Sequence, residues 1–146
     1  MKIDYFSDTY IIYLNKYNTI NIDFSNTKVL ESDLKDLLLR LKRYYHIDIK
    51  GYYNITVYID DFYGAILKIE EDNDYYDYFD DSIAIRMKKI NTNFLYEIDD
   101  LSYIKDYVDK FDISNCNNKV YLRIMDKLSD KEYLELLEIS NIIFEK

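Results

Sequence analysis

The sequence has few of the residues on which most catalytic and metal sites depend. Its 146 residues include one cysteine, one histidine, two glycines, no proline and no tryptophan. A single cysteine cannot form an internal disulfide, so nothing points to an oxidising compartment. A structural or catalytic zinc site needs three or four His, Cys or carboxylate ligands. The composition therefore argues against a metal centre.

The scarcity extends to catalytic groups. Cys116 and His46 form the single Cys–His option for nucleophilic catalysis, but Cys116 lies in a turn-like polar stretch and His46 follows a helix pattern. Glycine occurs only at positions 51 and 64, which excludes a glycine-rich phosphate loop. Asp60 and Asp61 are ordinary turn residues unless a desolvated cleft holds them. We therefore predict no enzyme activity and no cofactor, with an enzyme acting on a small metabolite as a distant alternative.

Long apolar runs are also missing. No stretch approaches the ~20 apolar residues that span a bilayer, and Asp4 falls where a signal peptide would begin its apolar run. We therefore expect a cytoplasmic protein that does not contact a membrane. Hydrophobic residues make up 49% of the chain, which is enough for a folded core.

What the chain has in excess is negative charge, and most of it lies in one place. The net charge is −9, and the segment Glu70–Asp81 (EEDNDYYDYFDD) contains seven acidic residues and no basic one. Outside it, 21 acidic and 19 basic residues leave a net charge of −2. Direct binding to nucleic acid needs clustered Lys and Arg, so we do not expect it.

The acidic segment superficially resembles a calcium-binding loop. With Glu70 as first ligand, Asp72, Asp74 and Asp81 fall at the third, fifth and twelfth positions. The sixth position is Tyr75, where the sharp turn of an EF-hand requires glycine. An EF-hand is therefore rejected, and a weak, unspecific cation site stays open.

The periodicity of the remaining chain predicts an α+β fold with mainly antiparallel sheet. An apolar stripe from Leu30 to Tyr45 (Leu30, Leu34, Leu37, Leu38, Leu41, Tyr44 and Tyr45) predicts the first helix, and we place a second over Asp99–Phe111 with Asp99 as its N-cap. Ser129 to Glu132 matches a capping box and predicts a last helix with Leu134 and Leu137 facing inward. The predicted strands are Lys2–Phe6, Tyr10–Leu14, Tyr53–Ile59, Ala65–Ile69, Ile83–Met87, Phe94–Ile98 and Val120–Ile124, and 141–144 is helix or strand.

These elements suggest two small ββαββ-like halves. We predict an N-terminal half over residues 1–69, an acidic linker over 70–82 and a C-terminal half over 83–146. The linker is also the candidate binding segment, since clustered charge speeds encounter with a basic partner. Its binding residues would be Asp72, Asp74, Tyr75, Tyr76, Asp77, Asp80 and Asp81. The alternatives are a merely solvated linker and a mimic of DNA charge.

In this order the chain resembles the MecA-type adaptor proteins of the Clp protease system. The resemblance lies in the opening MKIDYFSDTYIIYL, the helix SDLKDLLLRLKRYY, the hairpin IKGYYNITVYIDDFYGAILKI and the later FLYEIDDLSYIKDYVDKF and KVYLRIMD. It implies an N-terminal domain that contacts client proteins and a C-terminal domain that contacts a Clp AAA+ unfoldase. This chain is shorter than usual members and looks truncated after Asp126.

Two functional hypotheses follow. The first is a non-enzymatic adaptor or regulatory protein-binding module that targets proteins to a Clp-type unfoldase for proteolysis. The second is an acidic inhibitor or DNA-mimic decoy that blocks a basic or nucleic-acid-binding partner. Neutralising the acidic segment distinguishes a binding role from a linker.

Overall fold

A computed structural model describes residues 2–46, 51–71 and 83–145 of the chain. Two α-helices and nine strands lie in these residues, and the strands form two mostly antiparallel sheets. The predicted α+β fold is therefore confirmed. The chain divides into two compact units, the first formed by residues 1–59 and 64–91 and the second by residues 60–63 and 92–146.

The first unit has a five-stranded sheet with the order β1-β2-β4-β3-β5. Strand β1 pairs with β2 and β2 with β4 in antiparallel register, whereas β3 and β5 are parallel. The elements are β1 (Lys2–Phe6), β2 (Thr9–Asn15), α1 (Thr27–Tyr45), β3 (Gly51–Asp60), β4 (Gly64–Glu71) and β5 (Ile83–Asn91).

Helix α1 follows the apolar stripe seen in the sequence. Four leucines of this stripe are almost fully buried: Leu30, Leu34, Leu38 and Leu41. They pack with sheet residues in the core of the first unit, which we call the first core. Asn26 caps the helix, because its side chain accepts a hydrogen bond from the Val29 N–H at 3.2 Å. Tyr44, at the margin of the stripe, is 68% exposed and does not join the core.

One face of the sheet supplies the other half of this core. Alternate residues of three strands point inward, as the period of two requires: Ile12 and Leu14 of β2, Tyr53, Ile55 and Val57 of β3, and Ala65, Leu67 and Ile69 of β4. Gly64 opens β4 with a φ of +125°, and a Cβ there would lie 2.6 Å from the Leu14 carbonyl oxygen. Backbone geometry therefore requires glycine at position 64.

The second unit has a four-stranded sheet with the order β7-β8-β6-β9, and all its pairs are antiparallel. Its core includes Phe94, Tyr96, Leu122 and Tyr133. The elements are β6 (Leu95–Ile98), two 3₁₀ helices (Leu101–Ile104 and Val108–Lys110), β7 (Phe111–Cys116), β8 (Lys119–Ile124), α2 (Asp130–Ile139) and β9 (Asn141–Ile143).

The prediction of an α-helix over Asp99–Phe111 is wrong. Two short 3₁₀ helices occupy this stretch, and Asp100 rather than Asp99 caps the first by accepting from the Ser102 N–H. Apolar spacings of three and four fit either kind of helix over so few turns. Phe111 leaves the helical path because it opens β7, where it pairs with Ile124.

The capping box before α2 is confirmed. Ser129 accepts from the Glu132 N–H at 3.2 Å, and the Glu132 carboxylate accepts from the Ser129 N–H at 2.9 Å. The inward face differs from the predicted one, because Tyr133 and Leu136 are buried whereas Leu134 is 49% exposed. The undecided tail forms strand β9, which pairs with β6.

The acidic segment begins inside a strand. Glu70 and Glu71 are the last two residues of β4, and residues 72–82 lie outside the described part of the chain. Strand β5, which the sequence places in the C-terminal half, pairs with β3 in the first sheet. The division at 1–69, 70–82 and 83–146 stays a prediction. In the described residues, β5 belongs to the sheet of the first unit.

Among the described helices, none has the length and apolarity that crossing a membrane requires.

Candidate protein-binding surface

The predicted binding residues, Asp72, Asp74, Tyr75, Tyr76, Asp77, Asp80 and Asp81, lie outside the described residues. The structure instead shows the surface from which this segment departs. At that end of the first sheet, exposed aromatic and acidic side chains of the β1–β2 hairpin lie in line with the end of β4. We call Tyr5, Phe6, Asp8, Glu70 and Glu71 the aromatic–acidic edge.

A tight turn builds this edge. Ser7 and Asp8 have φ angles of 48° and 62°, so both turn residues are left-handed. Two such residues between antiparallel strands fit a type I′ hairpin turn, which matches the natural twist of the strands. This turn sets Phe6 opposite Thr9.

The strand register then aligns the hairpin with the acidic end of β4. Thr9 is opposite Glu70, so Phe6, Thr9 and Glu70 form one row across three strands. Residues opposite each other in a sheet point to the same face. Phe6 and Glu70 therefore share one face of the sheet.

The neighbouring row points to the opposite face. Tyr5 is opposite Tyr10, and their rings lie 4.5 Å apart between centroids. Tyr10 is opposite Ile69, and Glu71, two residues further along β4, returns to that same face. The edge thus presents an aromatic and a carboxylate on each face of the sheet.

Hydrogen bonding and charge define the electrostatics of the edge. The Tyr5 hydroxyl donates to Asp8 Oδ1 at 3.1 Å. This hydrogen bond, followed by desolvation and by the nearby negative charges of Asp8 and Glu71, raises the pKa of Tyr5 above its ordinary value. The phenol therefore stays neutral at physiological pH, and the surroundings favour a cation over an anion.

Exposure makes these aromatics available to a partner. Tyr5 is 58% exposed and Phe6 is 55% exposed, while Asp8, Glu70 and Glu71 are all exposed. Sequence reasoning missed Tyr5 and Phe6 because a strand pattern does not reveal which strand end will meet the acidic segment. The register that brings them together is set by long-range pairing.

Asp60 and Asp61 do not form a carboxylate pair in a cleft. Asp60 is 6% exposed, and its Oδ1 accepts from the N–H groups of Phe62 and Tyr63 at 2.8 and 2.9 Å. Its Oδ2 accepts from the Phe94 N–H at 2.7 Å, whereas Asp61 is exposed. Asp60 is therefore a structural acceptor of backbone hydrogen bonds within the second unit.

The remaining candidate residues are dispersed. His46 is exposed at the C-terminus of α1 in the first unit, with a left-handed φ of 54°. Cys116 is exposed at the end of β7 in the second unit. Within residues 2–46, 51–71 and 83–145, no three or more His, Cys, Asp or Glu side chains are grouped so that they could hold a metal ion.

Comparison with known proteins gives no relative for this chain. No protein-family model matches it, and neither the curated proteins nor the solved structures contain a significant match.

Proposed function

We propose that the protein is a non-enzymatic adaptor or regulatory module that binds a basic segment of another protein through its aromatic–acidic edge. One observation carries the proposal: two aromatic side chains that are more than half exposed each share a face of the sheet with an exposed carboxylate. Aromatic faces attract Lys and Arg side chains, and aromatic residues are enriched at protein interfaces. A surface of this kind suits a partner that presents Arg or Lys between apolar residues.

The acidic segment extends the charge of this edge along the chain. Residues 72–81 follow Glu71 directly and add five aspartates, with no basic residue among them. Charge clustered in this way speeds the diffusional encounter with a basic partner, and the effect falls with ionic strength. In this proposal the segment captures the partner and the aromatic–acidic edge provides the contacts that hold it.

The position of β1 supports the same proposal. It is the outermost strand of its sheet, so one side of its backbone has no strand partner among the described residues. A free sheet edge is a template for an added strand from another chain. A partner segment that pairs with β1 would pass beside Tyr5 and Phe6 at the turn.

The resemblance to MecA-type adaptors gives the proposal its more specific form. In that form the protein delivers client proteins to a Clp-type AAA+ unfoldase in the cytoplasm, and the first unit binds the client. Affinity purification from the native host, with the full chain as bait, tests this form. Recovery of a Clp-type unfoldase together with client proteins is expected, and recovery of neither would contradict the adaptor role.

The second candidate function is an acidic inhibitor that mimics DNA charge, and the seven acids of Glu70–Asp81 favour it. In this function, unlike the adaptor function, binding depends on charge alone. An inhibitor of this kind would compete with DNA for its target, and replacement of Tyr5 and Phe6 would leave its binding unchanged. The inhibitor function would be supported if the protein competed with DNA for its target and if replacing Tyr5 and Phe6 left binding unchanged.

Two variants, each with five Asp→Asn substitutions, test whether the acidic segment takes part in binding. Changing Asp72, Asp74, Asp77, Asp80 and Asp81 to Asn should weaken partner binding and flatten its dependence on salt. The matched control changes five exposed aspartates elsewhere, namely Asp61, Asp99, Asp106, Asp109 and Asp112, and should leave both properties unchanged. If both variants bound the partner with the affinity and salt dependence of the wild type, the acidic segment would act only as a linker.

A further inference from the structure

A pocket in the first unit opens between α1 and the loop that joins β2 to it. Its volume is about 420 Å³, which lies near the lower end of the ~300–1,000 Å³ typical of small-molecule sites. It is distinct from the aromatic–acidic edge, because none of the residues that form that edge lines it. A ligand in this pocket would therefore bind apart from the proposed protein-binding surface.

The wall formed by the loop is held in place by its own hydrogen bonds. Asn15 Oδ1 accepts from the Tyr17 and Asn18 N–H groups at 3.0 and 3.2 Å, and Asn18 Oδ1 accepts from the Asn15 N–H at 3.1 Å. The Ile22 N–H donates to the Thr19 carbonyl oxygen at 3.0 Å. A loop fixed in this way gives a preformed wall, which lowers the entropy cost of binding a ligand.

Four apolar side chains form part of the pocket lining. Leu14 and Leu34 are buried, and Ile22 and Leu37 are half-buried against the first core. Such a lining favours an aliphatic group over water. A bare or hydrated metal cation would gain nothing from these four side chains.

Two carboxylates line the pocket, those of Asp33 and Asp36. Asp33 is half-buried, and among residues 2–46, 51–71 and 83–145 its side chain has neither a hydrogen bond nor an ion pair. A cation in the pocket would gain a charge-assisted interaction with this carboxylate without displacing a partner from the described residues. Asp36, one helical turn further along, adds a second negative charge at the rim on the same face of α1.

A basic residue and two amides complete the rim. Arg40 lies one turn beyond Asp36, and its Nε donates to the Asp36 backbone carbonyl at 3.4 Å rather than to a carboxylate. Its guanidinium therefore remains available to a ligand carboxylate. Asn18 and Asn21 stand on the exposed side of the pocket, where they suit a ligand amide or carboxylate.

We propose that this pocket binds an ammonium group borne on an aliphatic body, with the ammonium at Asp33 and the aliphatic part on Leu14, Leu34 and Leu37. An aliphatic α-amino group has this chemistry, and it occurs both in a free amino acid and in the first residue of a peptide chain. The two sources differ at the carboxylate, which a free amino acid offers to Arg40 and a peptide does not.

Titration of the full chain with small probes, followed by amide chemical shifts, tests the proposal. L-Leucinamide carries the ammonium and the aliphatic group, and it should shift amide signals of residues near Leu14, Ile22 and Asp33. N-Acetyl-L-leucinamide lacks the positive charge and should bind at least about tenfold more weakly, since a charged hydrogen bond contributes more than a neutral one. Equal binding of the two compounds, or binding of neither, would overturn the proposal.

Variants of α1 test which carboxylate contributes to binding of the ammonium group. Asp33→Asn should weaken leucinamide binding about tenfold or more, and Asp36→Asn should weaken it less because Asp36 is exposed. Glu31→Gln removes an equal charge from the same helix outside the pocket and should have no effect. If Asp33→Asn lowered the melting temperature, the Asp36→Asn result would still decide the matter, and unchanged affinity in both Asp variants would refute the role of the carboxylates.

Two further probes separate the sources. Tighter binding of L-leucine than of L-leucinamide, lost in Arg40→Gln, would identify a free amino acid. Tighter binding of a leucine-initiated tripeptide, unchanged in Arg40→Gln, would identify a peptide N-terminus. Both results support the ammonium site.

Discussion

Two buried tyrosines of the second unit show how much a single hydrogen bond matters at the scale of one residue. Tyr96 and Tyr133 are each 1% exposed. The Tyr133 hydroxyl donates to the Tyr63 carbonyl oxygen at 3.1 Å. The Tyr96 hydroxyl is buried without a hydrogen-bond partner in the described part of the chain. Burial of an unpaired hydroxyl is unfavourable, whereas a paired one contributes to stability.

Replacing each tyrosine with phenylalanine should therefore have opposite effects. Tyr96→Phe is expected to raise the free energy of unfolding by about 1 kcal/mol, because it removes an unsatisfied group. Tyr133→Phe is expected to lower it by about 1 kcal/mol, because it removes the hydrogen bond from the Tyr133 hydroxyl to the Tyr63 carbonyl oxygen. Urea denaturation of both variants measures the difference, and a loss of stability in Tyr96→Phe would indicate a hydrogen bond that the structure does not show.

The same hydroxyl predicts a response to alkaline pH. Burial, with a smaller contribution from the charge of Asp60, raises the pKa of Tyr96 far above its ordinary value of 10.0. The folded state then holds this proton more tightly than the unfolded state. The stabilising contribution is complete below about pH 10 and is lost as the pH rises above it, because only the unfolded chain ionises easily. Burial also raises the pKa of Tyr107, to about 12, which acts in the same direction.

The melting temperature of the wild type should accordingly fall between about pH 9 and about pH 11. Tyr96→Phe should fall less over the same range, since phenylalanine cannot ionise. Thermal unfolding followed by circular dichroism at each pH measures both slopes. Parallel slopes for the two proteins would mean that Tyr96 ionises as easily in the folded state as in the unfolded chain.

Some residue roles follow from local chemistry and others do not. Asp60 was expected to be a turn residue, and its bonds to the Phe62 and Tyr63 N–H groups have that local character. Its third bond, to the Phe94 N–H, joins residues 34 positions apart. No local pattern encodes such a contact, so the burial of Asp60 could not be foreseen.

At the scale of elements, the two helices owe their boundaries to different signals. The N-terminus of α2 is fixed by a reciprocal capping box, which Lys110 reinforces through an ion pair of 2.8 Å with Glu132. A capping box satisfies two N–H groups that the helix cannot pair internally. The sequence alone was sufficient to locate it.

Removal of the cap should weaken the second unit. Ser129→Ala is expected to lower the free energy of unfolding by about 1 kcal/mol, because the Glu132 N–H loses its acceptor. Ser114→Ala is the matched control, since Ser114 is exposed on β7 and should change stability by less than about 0.5 kcal/mol. Urea denaturation compares the two, and equal small effects would show that water replaces the cap without loss.

Strand β7 was the element that sequence reasoning missed. Its signal was present, because Asn117 and Asn118 separate it from β8 and both have positive φ angles, 51° and 66°. Paired asparagines between two extended segments are typical of a type I′ hairpin turn. The polar residues at the end of β7 concealed the alternation that would have marked the strand. Periodicity therefore located α1 and β8, where one face is buried, and failed where both faces are partly exposed.

At the scale of the whole molecule, charge and pairing across the chain decide what the protein presents to a partner. The sequence predicted the α+β class and the concentration of charge in Glu70–Asp81. It did not predict that β5 would run parallel to β3, because the residues between β4 and β5 carry no periodic pattern. Nor did it predict that the β1–β2 turn would align with Glu70, since register is a property of the folded sheet.

The two candidate binding surfaces also differ in how far the sequence alone predicts them. The acidic segment was visible in composition, whereas the aromatic half of the edge and the pocket beside Asp33 depend on how distant residues are brought together. Both surfaces belong to the first unit. A protein that binds a basic segment at one surface and an ammonium at the other would recognise two positively charged features.

The most direct test of protein binding through the aromatic–acidic edge is quantitative affinity capture from the native host. Immobilised wild type is compared with Tyr5→Ser/Phe6→Ser and with Tyr103→Ser/Met125→Ser, whose original side chains are 58% and 63% exposed in the second unit. A defined set of proteins should be retained by the wild type and the control, and lost from the Tyr5/Phe6 variant when its melting temperature is unchanged. Retention of the same proteins by all three would contradict it.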